Sequence, residues 1–131
     1  MWSQDRYTAA SRFAAVAHAG QQVPGTELPY LLHVTLVAME VSAALRAAPD
    51  HDEDLALQCA LLHDTIEDSE VSFEQLEATF GRPVADGVLA LTKDESLPKA
   101  ERMPDSLRRI GAQPPEVWIV KLADRVVNLQ P

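Results

Sequence analysis

Residues 60–68 read ALLHDTIED, an apolar run that ends in one histidine and three carboxylates. Together with the preceding residues LALQC, the run is apolar nearly all round, which predicts the central buried helix of the fold. Asp52 is a suitable N-cap, so this helix is expected over residues 53–67. Neighbours on a helix diverge by about 100°, so His63 and Asp64 can share a ligand only in a cleft between elements.

The rest of the chain shows helical periodicity and no strand-like alternation. Ser72 and Gln75 have the spacing of a capping box, and Pro83 suits the first turn of a further helix. Residues 93–105 carry charges and prolines with few apolar anchors, so they are expected to be mobile. The predicted fold class is all-α, a compact multi-helix bundle with helices over residues 4–19, 30–47, 53–67, 72–80, 83–92, 105–110 and 115–129.

Length and charge limit the function. A chain of 131 residues can form one domain with its own core. The net charge of −9 argues against a nucleic acid or an anionic membrane as partner, although a small anion beside a bound cation stays compatible. The sequence shows no secretory signal. It also has no apolar run that approaches the roughly 18 residues of a membrane helix. We therefore expect a soluble, cytoplasmic protein in which Cys59 is a buried free thiol.

Two further segments carry groups that match His63 and Asp64. PYLLH (residues 29–33) ends in His33, and KLADRVVNL (residues 121–129) contains Asp124. Buried carboxylates need partners, and two imidazoles with two carboxylates can close around one divalent cation. The predicted metal ligands are therefore His33, His63, Asp64 and Asp124. Such a set suits Mn²⁺, Fe²⁺ or Zn²⁺, which lower the pKa of bound water from about 15.7 towards 7.

Three polar residues beside these ligands are candidates for catalysis and binding. Glu67 lies one turn beyond His63 and could exchange a proton during attack by water. Asp68 could orient that water. Asn128 lies four residues after Asp124, so its amide is expected to face the same cleft and hold substrate.

Each of these residues also has a simpler interpretation. A single histidine in an apolar helix is more often a hydrogen-bonded core residue than a ligand. We interpret His18 in this way, at a helix C-terminus, and expect His51 to be exposed. Asp124 and Arg125 alone would more often form a surface ion pair. The co-occurrence of four ligand-type residues in apolar surroundings favours the metal site.

Four segments together resemble the HD-domain metal-dependent phosphohydrolases, in particular the hydrolase domain of the RelA/SpoT type and its small stand-alone relatives. Residues 17–33 resemble the opening segment, 60–68 the second signature, 79–93 the connecting segment and 120–129 the last signature. The resemblance implies one HD-type hydrolase domain over residues 1–131, with Mn²⁺ as its metal. It also implies that guanosine 3′,5′-bis(diphosphate) is the substrate and loses its 3′-pyrophosphate.

The resemblance also assigns individual roles. It gives metal ligation to the four predicted ligands and catalysis to Glu67 and Asp68. It implies nucleotide contacts from Gln21, Tyr30, Lys93 and Asn128.

One departure keeps other functions open. Bifunctional family members usually carry basic residues where this chain has Gln22, Val23 and Pro24, and such residues would clamp phosphates or stack on a base. A phosphatase for another nucleotide and a non-catalytic metal- or nucleotide-binding regulatory module are therefore the alternatives. The sequence also leaves open a homodimer and a natural chain that continues beyond Pro131. Replacement phosphate contacts could come from Lys93, Lys99, Arg102, Arg108, Arg109 and Lys121.

Overall fold

The computed structural model describes residues 2–130, which form eight helices. These are α1 (Gln4–Ala17), α2 (Leu31–Ala47), α3 (Glu53–Leu62), α4 (Thr65–Asp68), α5 (Phe73–Phe80), α6 (Arg82–Leu91), α7 (Lys99–Gly111) and α8 (Pro115–Leu129). An isolated β-bridge joins Gln22 and Pro29 in the loop before α2. The all-α prediction is confirmed. Within the described range, no helix is long and apolar enough to cross a membrane.

Helix α3 lies at the centre of the core. Every residue from Leu55 to Leu62 is buried, and the helix packs against α1, α2, α6 and α8. Helix α6 approaches α3 and α8 at Gly87, where an added Cβ would lie 2.7 Å from the Cys59 Sγ and 3.1 Å from a Val117 methyl carbon. A residue without a side chain is therefore needed where the three helices meet. Cys59 is a buried free thiol, as predicted.

Several helix ends follow the signals in the sequence. The Asp52 carboxylate accepts a hydrogen bond from the Leu55 amide at the start of α3. Ser72 and Gln75 form both hydrogen bonds of a capping box at the start of α5. Helix α8 has the predicted bounds, with Pro115 in its first turn.

The prediction of one continuous helix over residues 53–67 is wrong. Helix α3 ends at Leu62, and a turn at His63 and Asp64 separates it from the single-turn helix α4. The His63 Nδ1 lies 2.7 Å from the Ala60 carbonyl oxygen, and the Thr65 hydroxyl donates to the Leu62 carbonyl at 2.7 Å. Side chains therefore satisfy carbonyl groups that amides of a continuing helix would have used.

The connection after α6 also differs from the prediction. Helix α7 begins at Lys99 rather than near residue 105, so residues 99–105 are helical instead of a mobile loop. The Arg102 guanidinium donates to two carbonyls of the preceding turn. The Arg109 guanidinium donates to three carbonyls at the end of α6. Arginine-to-carbonyl hydrogen bonds thus hold a segment that has few apolar anchors.

Candidate metal centre and its cleft

A cleft of about 260 Å³ lies where α2, the α3–α4 turn, the end of α6 and α8 meet. It is lined by Tyr30, His33, His63, Asp64, Glu67, Asp68, Leu91, Lys93, Val120, Lys121, Asp124, Arg125 and Asn128. His33 is the third residue of α2. Helix α8 contributes residues of one face, at positions 120, 121, 124, 125 and 128. Residues from distant parts of the chain therefore converge on one space.

The predicted ligands lie together at the base of this cleft. One ligand atom each from His33, His63 and Asp64 lie within 4.8 Å of one another. The Asp124 Oδ1 lies 3.0 Å from the His33 Nε2 and 3.3 Å from the His63 Nε2. The break between α3 and α4 brings the neighbours together, since the His63 Nε2 lies 3.0 Å from the Asp64 Oδ2. All four side chains are thus within reach of a common cation.

The hydrogen bonds of His63 show that this cluster fits a metal ion. Because a carbonyl oxygen only accepts, the His63 Nδ1 must donate its proton to Ala60, so the Nε2 of the neutral ring is a bare acceptor. This buried Nε2 has no hydrogen-bond partner, although carboxylate oxygens of Asp64 and Asp124 lie close by. Acceptor atoms that face one another need positive charge between them, which a proton on the Nε2 or a metal cation can supply. Histidine ligands of metals typically donate their other ring nitrogen in this way.

The electrostatics of the cluster lead to the same conclusion. Burial alone lowers the pKa of His63, but the Asp64 and Asp124 carboxylates outweigh it and raise that pKa well above the ordinary value. Burial opposes ionisation of Asp64 and Asp124, yet the histidines hold the pKa of each carboxyl below its ordinary value. The site therefore favours two negative carboxylates with positive charge between them. A divalent cation meets this requirement.

Tyr30 supports one of the carboxylates. Its hydroxyl donates a hydrogen bond of 2.5 Å to the Asp64 Oδ2. Burial, followed by the charge of Asp64, raises the pKa of the Tyr30 phenol, so the group stays a donor. The ring also lies 5.2 Å from the ring of His33, measured between centroids. Tyr30 thus orients a predicted ligand and borders the cleft.

Glu67 and Asp68 form an acidic pair on α4 at the edge of the cleft. Burial and the nearby Asp64 raise the pKa of Glu67, while Lys93 opposes this shift. Burial and Asp64 likewise raise the pKa of Asp68. A carboxyl group whose pKa is raised in this way can exchange protons more readily near neutral pH. The pair has the position and the electrostatics of an acid–base group.

Cations surround the outer part of the cleft. Lys121 and Arg125 of α8 both line it, and neither makes a hydrogen bond or an ion pair with another described residue. Lys93, which follows α6, also lines the cleft and acts on the charge of Glu67. No residue of the Gln22–Pro24 segment is among those that line the cleft. Free cations above an acidic metal site suit a substrate that carries phosphate groups.

The structure places most of the predicted site residues in the cleft, with one exception. Gln21 does not line the cleft: its amide donates to the Asp68 carbonyl and accepts from the His18 ring. Its amide therefore contacts α4, and its predicted contact with the nucleotide stays a prediction. His18 caps the C-terminus of α1, as expected, whereas the exposure predicted for His51 is wrong because this residue pairs with Glu116.

The sequence interpretation missed one charged residue of the cleft. Arg125 was considered only as the partner of Asp124 in a possible surface ion pair, whereas it borders the cleft without such a pair to a described residue. Its spacing from Lys121, four residues along α8, could have shown that both cations lie on the face that carries Asp124.

Comparisons with known proteins agree with this geometry. The profile of the HD domain family matches residues 10–131. A guanosine-3′,5′-bis(diphosphate) 3′-pyrophosphohydrolase, MESH1, of Danio rerio is 38% identical over 123 residues, which cover 90% of this chain and 64% of that protein. A guanosine-3′,5′-bis(diphosphate) 3′-pyrophosphohydrolase of Aquifex aeolicus is 32% identical over 124 residues, covering 92% of this chain and 17% of that protein.

A solved structure supports the relation. It is a metazoan ortholog of SpoT that hydrolyzes ppGpp and plays a role in starvation responses, with a TM-score of 0.81 and 33% identity. The match covers 98% of this chain and 71% of that structure. The chain thus spans about two thirds of these small relatives and a minor part of the long one. It belongs to the HD-domain phosphohydrolases and is related to the hydrolase domains of MESH1 and SpoT.

Proposed function

We propose that this protein is a metal-dependent phosphohydrolase that releases pyrophosphate from the 3′ position of guanosine 3′,5′-bis(diphosphate). The observation that carries the proposal is one cleft in which a His–carboxylate cluster, an acidic pair and free cations meet. The similar proteins that bear this activity support the choice of substrate. The proposed catalytic unit is a single HD-type domain over residues 1–131.

The cluster holds the proposed metal through His33, His63, Asp64 and Asp124. Bound there, a divalent cation would lower the pKa of water and offset the negative charge of phosphate oxygens. The mixed nitrogen and oxygen set suits Mn²⁺, Fe²⁺ or Zn²⁺, and we favour Mn²⁺ because the resemblance to the RelA/SpoT-type hydrolase domains implies it.

The protein groups around the metal then perform the remaining steps. A carboxylate oxygen of Glu67 accepts the proton of the attacking water, and Asp68 orients that water. Lys121, Arg125 and Lys93 bind phosphate oxygens and offset their charge as the P–O bond breaks. Asn128 holds the nucleotide from the next turn of α8. Phosphoryl transfer needs little covalent help from a protein, so positioning and charge carry the catalysis.

The lining of the cleft favours a second candidate, a phosphatase for another nucleotide. The cations that line the cleft come from α8 and from Lys93, and none comes from the loop around Val23. An α8-based clamp binds phosphates but supplies no arginine that could stack on a guanine from the loop side. A panel of nucleotides that differ in base and in phosphate position separates the two candidates.

The test is an assay of pyrophosphate release from guanosine 3′,5′-bis(diphosphate). The protein is first treated with a chelator, then assayed with and without added Mn²⁺, with Asp64→Ala as the control. Release that needs Mn²⁺ and is absent in the control supports the proposal. Mn²⁺ binding without turnover of any nucleotide in the panel would contradict it and favour the regulatory module.

Two further points belong to the proposal. We place the protein in the cytoplasm, where a free thiol such as Cys59 stays reduced. We also keep a homodimer as the assembly to be tested, by light scattering of the purified protein.

A further inference from the structure

His18 is a buried titratable residue that the proposed mechanism does not use. It is 3% exposed and follows the last residue of α1. Its Nε2 is buried without a hydrogen-bond partner, a property it shares, among the described residues, with His63. Unpaired buried polar groups are rare and call for a reason. For His63 the reason is the metal site, whereas His18 lies outside the cleft.

The direction of the hydrogen bonds around His18 follows from one carbonyl group. The backbone oxygen of Asp68 only accepts, so the Gln21 Nε2 must donate to it, at 2.6 Å. The other end of that amide is then the oxygen, which lies 2.8 Å from the His18 Nδ1. His18 therefore carries its proton on Nδ1 and donates it to Gln21. A chain of two hydrogen bonds joins the end of α1 to the last residue of α4.

The ring of His18 also packs against Tyr30, the residue that orients the predicted ligand Asp64. Its centroid lies 4.9 Å from that of Tyr30, whose hydroxyl donates to Asp64. On its other side Tyr30 lies against His33. The ring contact and the hydrogen-bond chain thus lead from the same imidazole to both halves of the site, the metal ligands and the acidic pair.

We propose that His18 is a positioning residue that fixes α4, and with it Glu67 and Asp68, through Gln21. This inference rests on the proposed function, because it assigns His18 to the same site. Helix α4 is a single turn that is held at its start by the buried Thr65 and by Ile66 against the core, and the hydrogen bond from Gln21 to its last carbonyl fixes the other end, which carries the acidic pair. His18 does not touch substrate and acts only through its neighbours.

Two variants of His18 separate the hydrogen bond from the packing. His18→Phe keeps a ring against Tyr30 and removes the donor. His18→Asn places a donor amide where the Nδ1 stood. We expect kcat to fall about 10- to 100-fold in His18→Phe and to be largely restored in His18→Asn, with KM and Mn²⁺ affinity unchanged in both. An unaltered kcat in His18→Phe, or no recovery in His18→Asn, would overturn the inference.

A double variant tests whether Gln21 transmits the effect. Gln21→Leu should lower kcat as His18→Phe does, and the combination should be no slower than either change alone, because both break one chain of hydrogen bonds. Reductions that multiply in the double variant would disprove the link. His51→Phe is the matched control: it removes a paired histidine far from the cleft and should lower the melting temperature while kcat is preserved.

A measurement without substrate keeps this inference apart from the proposed function. In ¹⁵N-histidine NMR spectra of the wild-type protein, His18 is expected as the Nδ1–H tautomer, and Gln21→Leu should change its signals. The Nε2–H tautomer in the wild-type protein would contradict the inference whatever the substrate is. No turnover of the bis(diphosphate) in the wild-type protein would instead contradict the proposed function, and the tautomer would then decide about His18.

Discussion

Helices α3 and α8 bring a histidine and a carboxylate together at two places, one beside each end of α3, with opposite results. At one end His51 meets Glu116, and at the other His63 meets Asp124. One Glu116 oxygen accepts from the His51 Nδ1 and from the Asp52 amide. The His63 Nε2 faces carboxylate oxygens without forming a hydrogen bond. One pair is complete within the protein, and the other leaves an imidazole nitrogen and two carboxylates for a proton or a metal cation to join.

The difference lies in how donors and acceptors are matched. A carboxylate oxygen only accepts, so the His51 Nδ1 donates to Glu116. The backbone amide of Asp52, just before α3, is the second donor to the same oxygen. The neutral His63 ring uses its donor on Ala60, so its Nε2 faces Asp124 as an acceptor until a proton or a metal cation binds there. Residue types alone therefore do not mark a metal site. What marks it is whether the ring nitrogen that faces the carboxylates is a donor or an acceptor.

The largest effects should come from the ligand carboxylates. Asp64→Ala and Asp124→Ala remove a charged ligand each, so we expect Mn²⁺ binding and pyrophosphate release to be lost. Each change also removes a hydrogen-bond partner from a neighbour, the Tyr30 hydroxyl in Asp64→Ala and the His33 ring in Asp124→Ala, so thermal melting must show that the metal-free variants are still folded. Calorimetric titration with Mn²⁺ and thermal melting check this, and retained Mn²⁺ binding in either variant would refute the ligand assignment.

The next largest effect concerns the acidic pair at the same end. In Glu67→Gln the metal ligands are intact but no carboxylate can accept a proton, so kcat should fall about 10²- to 10⁴-fold. Mn²⁺ affinity should not change. Glu70→Gln is the matched control, because Glu70 is exposed and outside the cleft. A wild-type rate in Glu67→Gln would exclude the assigned role.

The complete pair should behave in the opposite way. Glu116→Ala leaves the Asp52 amide and the His51 ring without their acceptor, which costs about 1.5–3 kcal/mol of unfolding free energy. Chemical denaturation measures this loss. The activity of the folded protein at low denaturant should be unchanged, and a fall in kcat comparable to that of Asp124→Ala would erase the distinction between the two ends.

The cations around the cleft should give a moderate effect. Lys121→Ala and Arg125→Ala each remove one charge-assisted contact to phosphate, so we expect KM to rise about tenfold with a smaller change in kcat. The effect should shrink as salt is added. Lys99→Ala, at the start of α7 and outside the cleft, is the control. Equal KM values in all three variants would contradict the assignment of Lys121 and Arg125 to phosphate binding.

The smallest effect is a pH dependence of the complete pair. Burial opposes ionisation of Glu116, but the Asp52 amide and other hydrogen bonds to its charged form lower its pKa below the ordinary 4.5. Its stabilising contribution is therefore fully present above pH 4.5 and is lost as the pH falls through the lowered value. The difference in unfolding free energy between wild type and Glu116→Gln should shrink towards pH 3. A difference that grows on acidification would show that the shift has the opposite sign.

The sequence predicted the fold best where local signals and burial agree. Helix α8 has its predicted bounds because prolines precede it and its apolar face repeats regularly. The run through Glu67 was extended too far, because periodicity does not show that His63 and Thr65 satisfy the carbonyl groups of the last turn. The start of α7 was missed because arginine-to-carbonyl bonds, which leave no apolar pattern, hold that segment.

The candidate site was predicted in part for a similar reason. Ligand-type residues stand out among apolar neighbours, so His33, His63, Asp64 and Asp124 could be singled out from the sequence alone. The structure brings these four side chains together, and metal ligation by them stays a prediction. Whether a polar loop residue faces the cleft or the protein depends on tertiary packing. Gln21 is such a case, since both ends of its amide bind protein groups.

The close approach of Gly87 in α6 to Cys59 in α3 makes the Cys59 thiol a probe for opening of the core. Burial, with smaller contributions from acidic groups, raises the pKa of the Cys59 thiol to about 12, so the folded chain presents almost no thiolate to a reagent. Labelling can proceed only after α6 has separated from α3. The rate of modification by a thiol reagent therefore measures how often the core opens, and a comparison with and without Mn²⁺ would report how strongly metal binding slows that event.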